Sequence, residues 1–203
     1  MNSSWVWIAV GFLCGSVPFG YLVGRMNGVD VRKIGSGNVG ATNVFRALGK
    51  KWGSAVLILD VLKGFLPVQG AIMNLRGQSS ADAFIVLVGV AAVLGHSFTP
   101  FLKFKGGKGV ATSAGALLAI MPAALGVTAM MWGLVWLVSR YVSLASIVAA
   151  LVFPVLAFFF YRDQTWFVVA AFVMCVLVIV RHWSNIQRLW NGTEQKWGKR
   201  REH

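Results

Sequence analysis

Seven apolar runs, opening near Trp5, Ser54, Ala81, Val110, Ala123, Ser143 and Thr165, alternate along the chain with short polar stretches rich in glycine, lysine and arginine. A helix needs about 20 residues to cross a hydrocarbon layer of ~30 Å, and most of the runs are at or near that length. Inside a bilayer every backbone polar group must be satisfied within the segment, so the runs predict helices. The stretch 110–138 is the ambiguous one. As a single helix it would be roughly 45 Å long, which demands strong tilt; turning at Met121-Pro122 it becomes two short helices, the first a half-span or tilted. The predicted architecture is an all-α polytopic membrane protein of about seven transmembrane helices, some short or tilted, in one domain over 1–203.

Charge orients this arrangement. With seven crossings, sixteen of the nineteen Lys and Arg fall on one side: Arg25, Arg32, Lys33, Arg46, Lys50, Lys51, Lys103, Lys105, Lys108, Arg140 and the six from Arg181 onward. Short cytoplasmic loops collect cations, so the N-terminus is expected outside and the C-terminus in the cytoplasm. A composition of 57% hydrophobic and 12% charged residues excludes a soluble domain, which would be coated in apolar surface. The net charge of +13 is spread over several loops with no aromatic-interleaved soluble domain, so it calls for no nucleic acid and favours anionic lipid and substrate. Cys14 and Cys175 lie inside runs, and the three His lack ligand-like spacing. Neither a disulfide, a metal nor a cofactor is expected.

Candidate chemistry sits in the polar stretches. Residues 35–43 read G-S-G-N-V-G-A-T-N. The G-x-G-x-x-G pattern is met literally, but no buried strand precedes it, so a dinucleotide fold is excluded. The local physics remains: closely spaced amides of Gly35, Gly37 and Gly40, polar groups on Ser36, Asn38, Thr42 and Asn43, and a helix start able to hold an anion. Residues 103–112 read K-F-K-G-G-K-G-V-A-T. Gly109 stands where a Walker loop needs Ser or Thr, so nucleotide hydrolysis is disfavoured. Lys105 and Lys108 around Gly106-Gly107 nonetheless suit a phosphate ester, and His96, ending the run before, is placed to reach the same pocket.

After the last run, 181–194 form an amphipathic interfacial helix with Gly192 as its stop. His182 and Asn185, at i and i+3, share a face. His steers or takes a proton, and Asn orients it or polarises a carbonyl. Within the second run Asp60 and Lys63 form an i, i+3 pair; intramembrane charge is expensive and usually functional, and Lys63 is the one expected to reach substrate. Ser143 opens a run on the same side, where capping competes with substrate contact.

Taken together these residues resemble a known family, the bacterial membrane glycerol-3-phosphate acyltransferases that use acyl phosphate as donor. The likeness includes residues 15–21 (G-S-V-P-F-G-Y), 35–43 with Arg46, Asp60-x-x-Lys63-Gly64, Gly95-His96, 104–112, 143–147 (S-L-A-S-I), and Arg181-His182-x-x-Asn185-Ile186-x-Arg188-Leu189 with Glu194. The resemblance implies transfer of a fatty acyl group to the sn-1 hydroxyl of glycerol 3-phosphate, yielding lysophosphatidic acid and phosphate at the cytoplasmic face of the bacterial inner membrane. It ties Ser36 to Asn43 and Arg46 to catalysis and the donor phosphate, and the Gly-Gly-Lys-Gly loop to glycerol phosphate. His182 and Asn185 are implied to be needed for activity and Glu194 to be structural, and Asp60 is expected to be structural as the neutralising partner of Lys63. The bilayer is an expected partner, and the resemblance leaves room for a handover from the enzyme that makes acyl phosphate.

The chemistry fits residues this sparse. An acyl phosphate is a mixed anhydride with a good leaving group, so positioning, charge neutralisation and help with one proton suffice. The base is either His182 or a substrate phosphate oxygen. No His-x-x-x-x-Asp box is present, since the fifth residue from His96 is Phe101 and from His182 is Gln187, which disfavours thioester donors. The rival readings are a transporter of phosphorylated metabolites and a lipid-binding scaffold. The first wants a polar route across and an inverted repeat, and the outer halves of the runs are almost unbroken apolar residues. The second leaves His182 and Asn185 unused. The acyltransferase reading requires 35–46, 103–112 and 181–194 to share one anionic pocket.

Overall fold

A computed structural model describes residues 3–78 and 80–198. The chain forms two compact units, 1–120 and 121–203; Lys199, Arg200 and Arg201, assigned above to the cytoplasmic tail, lie outside the described residues. Among the described residues there is no strand. The first unit comprises α1 (Ser3–Ser16), α2 (Phe19–Met26), a 3-10 turn at Val31–Lys33, α3 (Ala41–Leu75), α4 (Ala81–Ser97), a second 3-10 turn at Pro100–Leu102, and α5 (Val110–Ile120). The second comprises α6 (Pro122–Ser139), α7 (Val142–Tyr161), α8 (Thr165–Arg181) and α9 (Trp183–Trp190).

All seven apolar runs are helical, but fewer than seven are long enough to span alone. Among the described residues, five candidate spans meet both length and hydropathy: Ser4–Met26, Ala41–Leu75, Ala81–Leu102, Pro122–Ser139 and Val142–Tyr161. A sixth arises if α8 and α9, bent by 58°, count as one. The 11 residues of α5 reach only about 16 Å at ~1.5 Å per residue. The second span also begins earlier than the apolar run: α3 starts at Ala41 and carries the polar segment before Ser54, turning at Gly49 where φ is 83°.

Helix contacts in the first unit run through small residues, as expected where lipid offers no hydrophobic drive between helices. Gly11 brings α1 against the Val88 carbonyl of α4, 2.6 Å from where a Cβ would stand, and Gly15 does the same at Ala92. Gly64 and Gly115 likewise bring α3 and α5 backbone to backbone.

Pro18, lacking an N–H, ends α1 and leaves carbonyls without helical partners. Thr99 Oγ1 donates to the Ser16 carbonyl over 2.6 Å and Lys63 Nζ to the Val17 carbonyl over 2.8 Å. The elbow between α1 and α2 is thereby held by side chains from α3 and from the turn after α4. Beyond it, Val23 of α2, Val31 and Val39 of the first polar stretch, Val44 and Val56 of α3, and Leu102 before the second stretch form one buried apolar cluster. Both glycine loops of this unit therefore rest on the same core.

In the second unit Pro122 occupies the first turn of α6, where its missing N–H is harmless. Trp132 Nε1 donates to Ser146 Oγ over 3.2 Å and fastens α6 to α7. The segment after α9 folds back: the Trp197 amide donates to the Arg140 carbonyl over 2.8 Å, and its ring meets Trp136 edge-on with centroids 6.0 Å apart. Leu134, Leu137 and Val138 of α6 and Phe158, Phe159 and Phe160 of α7 stay exposed, the surface a lipid-facing helix presents.

Candidate active site

The first glycine loop is organised by Asn43, which is 1% exposed at the start of α3. Its Oδ1 accepts from the Ser36 amide over 2.9 Å, and its Nδ2 donates to the Val31 and Ile34 carbonyls over 2.8 and 3.0 Å. Both amide hydrogens are thereby used. Asn43, expected from sequence to meet the acyl donor, has its side chain engaged in shaping the loop. Asn38 Oδ1 accepts from the Gly40 amide over 2.7 Å, an Asx turn that uses the side-chain oxygen and not Nδ2. The Gly37 amide donates to the Ile34 carbonyl over 3.0 Å.

This accounting corrects the expectation of a nest of free amides: the Ser36, Gly37 and Gly40 amides hold the loop itself. Gly35, at φ 60°, packs against Asn43 Oδ1 where a Cβ would collide. What the loop offers outward is the exposed Ser36 side chain, the half-buried Asn38 and Thr42, and the start of α3, whose first amides have no intrahelical acceptor. Gly40 is the residue at the N-cap of α3. Arg46 sits half-buried in the second turn of the unbroken first part of α3.

The second loop shows a related departure. The Gly106 amide donates to the Ser97 carbonyl over 3.2 Å and the Gly107 amide to the His96 carbonyl over 3.1 Å, satisfying the end of α4. A Cβ at Gly106 would strike the His96 carbonyl, and one at Gly107 the His96 ring. The glycines are there for close approach rather than to release amides for an anion. Phosphate capacity in this loop belongs to the exposed Lys103 and Lys105, the half-buried Lys108 and the first turn of α5. His96 is buried under the loop with Nδ1 3.8 Å from Asp60 Oδ1. Lys63 Nζ lies 2.8 Å from the same Asp60 oxygen. It also donates to the Val17 carbonyl over 2.8 Å, and the Phe19 ring centroid stands 5.5 Å away.

In the second unit His182 joins α8 to α9 and is 2% exposed. Its Nδ1 lies 2.8 Å from the Val178 carbonyl, which can only accept. In the neutral ring the proton is therefore on Nδ1 and the lone pair on Nε2, the tautomer a general base requires. Asn185 follows at i+3, buried to 4% exposure, with its amide on the His182 carbonyl over 2.8 Å.

Glu194 ties this unit together. Gly192, at φ 68°, turns the chain after α9, and the Thr193 and Glu194 amides cap the Arg188 carbonyl over 2.8 and 3.1 Å. Glu194 Oε1 then accepts from Ser143 Oγ over 2.6 Å and Asn185 Nδ2 over 2.7 Å, while Oε2 accepts from Arg188 Nε over 2.7 Å. Burial works to raise the Glu194 carboxyl, but the hydrogen bonds of Ser143, Arg188 and Asn185 outweigh it, and the group sits below its ordinary value. Ser143, read from sequence as a cap or substrate contact, gives its hydroxyl hydrogen to Glu194 and keeps its oxygen as an acceptor. Thr99 and Arg188 carry structural duties that composition and spacing do not reveal, because their partners are 83 and 6 residues away in sequence.

The chain is similar over nearly its whole length to known proteins. A family model described as glycerol-3-phosphate acyltransferase matches residues 5–192. The glycerol-3-phosphate acyltransferase of Geobacter sulfurreducens is 47% identical over 189 residues, covering 93% of this chain and 94% of that protein. That of Trichlorobacter lovleyi is 47% identical over 197 residues, covering 97% and 98%. Among solved structures, the glycerol 3-phosphate form of PlsY (YgiH), an integral membrane glycerol 3-phosphate acyltransferase, superposes with a TM-score of 0.91 at 41% identity over 97% of this chain and 96% of that one. Its lysophosphatidic acid form gives 0.89 at the same identity and coverage.

Proposed function

The chain belongs to the glycerol-3-phosphate acyltransferase family, and we propose that it moves a fatty acyl group from acyl phosphate to the sn-1 hydroxyl of glycerol 3-phosphate. The products are lysophosphatidic acid and inorganic phosphate, formed at the cytoplasmic face of the bacterial inner membrane. The observation that carries this reading is the shared footing of the two glycine loops, Val31 and Val39 under one and Leu102 under the other in a single buried cluster. Two cation-bearing loops on one rigid base suit a reaction that brings two phosphate-bearing molecules together.

In this reading the Ser36 hydroxyl and Asn38 Nδ2 donate to the donor's phosphate or carbonyl oxygen, with Gly35, Gly37 and Gly40 setting the loop and Thr42 at the helix start. Arg46 neutralises phosphate charge during transfer, and Lys105 and Lys108 hold the glycerol phosphate. The hydroxyl oxygen bonds to the carbonyl carbon, the bond from that carbon to the phosphate oxygen breaks, and phosphate departs with the electron pair. The hydroxyl proton goes to His182 Nε2 or to a substrate phosphate oxygen, with Asn185 orienting the group that gives it up. Lys63, Ser143 and Asn43 serve from behind, as their protein partners indicate.

Purified protein given palmitoyl phosphate and glycerol 3-phosphate should form lysophosphatidate, whereas palmitoyl-coenzyme A and palmitoyl acyl carrier protein should not replace the donor. Equal turnover with either thioester would overturn the donor assignment.

A further inference from the structure

The buried Asp60 and Lys63 are left over once phosphate ligands are assigned, and we propose that they form a positioning pair that sets the two glycine loops in register with each other. Both lie on α3 at i and i+3, 2% and 6% exposed. Charges within a membrane-spanning segment are costly and usually mark function. Here each partner faces a different loop.

Lys63 faces the first. An ammonium has three N–H donors, and around this one stand the Asp60 carboxylate at 2.8 Å, the Val17 carbonyl at 2.8 Å and the face of the Phe19 ring at 5.5 Å. Val17 and Phe19 flank Pro18, so the ammonium grips the elbow that aims α2. From there α2 leads to Val31 and Val39, which lie with Val23 in the cluster beneath the loop. Thr99 supports the same elbow through the Ser16 carbonyl over 2.6 Å.

Asp60 faces the second. Its Oδ1 approaches His96 Nδ1 to 3.8 Å, beyond hydrogen-bond reach and an ion pair only with a protonated imidazole, and the His96 carbonyl receives the Gly107 amide over 3.1 Å while the ring packs against the Gly107 backbone. A shift of the pair along α3 therefore moves the α2 elbow and the Gly-Gly turn together. That coupling is what positioning means here, and it distinguishes the pair from a phosphate ligand, which would affect one substrate, and from a plain structural tie, which would affect only the folded fraction.

The test compares Lys63→Met, Asp60→Asn and the double variant, with kcat and KM measured for both substrates per folded molecule, the folded fraction being set by monodisperse elution in detergent. Misplacement of about 1 Å can lower a rate ~100-fold. Each single change should lower kcat/KM for donor and acceptor alike by roughly tenfold or more. The double variant, which leaves no lone buried charge, should fall no further than the worse single. A raised KM for one substrate only, with Asp60→Asn near wild type, would make Lys63 a ligand and overturn the proposal. Unchanged kinetics per folded molecule in all three would overturn it as well. Should the single variants not accumulate, the double variant and Thr99→Val, which removes one hydroxyl bond to the elbow, decide between the same outcomes. The inference uses the proposed function only for the identity of the substrates. If wild-type protein fails to use acyl phosphate, that reading falls, and the pair is tested instead by glycerol 3-phosphate binding in calorimetry, where weakened binding in both single variants supports it and unchanged binding refutes it.

Discussion

Asn185 donates through Nδ2 to Glu194 Oε1 over 2.7 Å, and this bond decides which end of the Asn185 amide faces away from the carboxylate. Because the same oxygen also accepts from Ser143 and the other from Arg188, one side chain orders three. Glu194→Gln keeps the shape but turns a charged acceptor into a mixed donor and acceptor facing three donors. Hydrogen bonds to charged groups are worth ~1.5–3 kcal/mol each when well buried. Glu194 is only partly buried, so the expected outcome is a thermal midpoint lowered by several degrees together with a loss of turnover as large as that of Asn185→Ala. A variant with wild-type midpoint and rate would show that Glu194 orders nothing.

The pH dependence follows from the same carboxyl. Its folded-state value lies below the ordinary 4.5. A depressed carboxyl adds stability that is fully present above the unfolded value and is lost as pH falls through the folded one. Thermal unfolding in detergent should therefore be flat from neutral pH to about 5 and decline below it, and Glu194→Gln should flatten the part of that decline due to this group. An identical acid slope in wild type and variant would count against the assignment.

Gly107 and Gly126 make a controlled pair. Beside Gly107 stands the His96 ring, whereas a Cβ at Gly126 of α6 meets nothing within 4 Å. Gly107→Ala must push His96 aside or lift the loop, and the expected result is a raised glycerol 3-phosphate KM and a rate at least tenfold lower, about 1.4 kcal/mol in barrier. Gly126→Ala should leave kinetics unchanged and stabilise the helix by ~0.5–1 kcal/mol. Steady-state kinetics on both variants checks this, and equal behaviour of the two would remove the close-approach argument.

His182 has Nδ1 on the Val178 carbonyl, which puts the lone pair of the neutral ring on Nε2. His182→Gln removes the base while retaining a polar side chain of similar reach. Loss of a general base typically lowers kcat ~10²–10⁴-fold. The pH–rate profile should lose its acid limb along with the rate. If the limb persists at a modestly reduced rate, the proton goes to a substrate phosphate oxygen and His182 serves only to orient the hydroxyl.

Much of this protein is written in its apolar periodicity. The seven runs are helices because a chain this hydrophobic must satisfy its own backbone, and Pro18 and Pro122 break them where the missing N–H dictates. The glycine-rich, cation-bearing stretches marked the candidate loops for a related reason: local chemistry is a local property. What the sequence left open is what each residue in them does. Asn43 and Ser143 looked like substrate contacts, and Gly106 and Gly107 like free amides, because a side chain or an N–H is counted as available until its partner is known. The partners come from tertiary contact: Val31 and Ile34 for Asn43, Glu194 for Ser143, His96 and Ser97 for the glycine pair. Spacing along a helix places Asp60 beside Lys63, but only the folding of α1, α3 and α4 against one another brings that pair to the Val17 carbonyl and His96. Hydrogen-bond satisfaction is settled by neighbours in space, and a one-dimensional pattern carries no record of neighbours forty or eighty residues away.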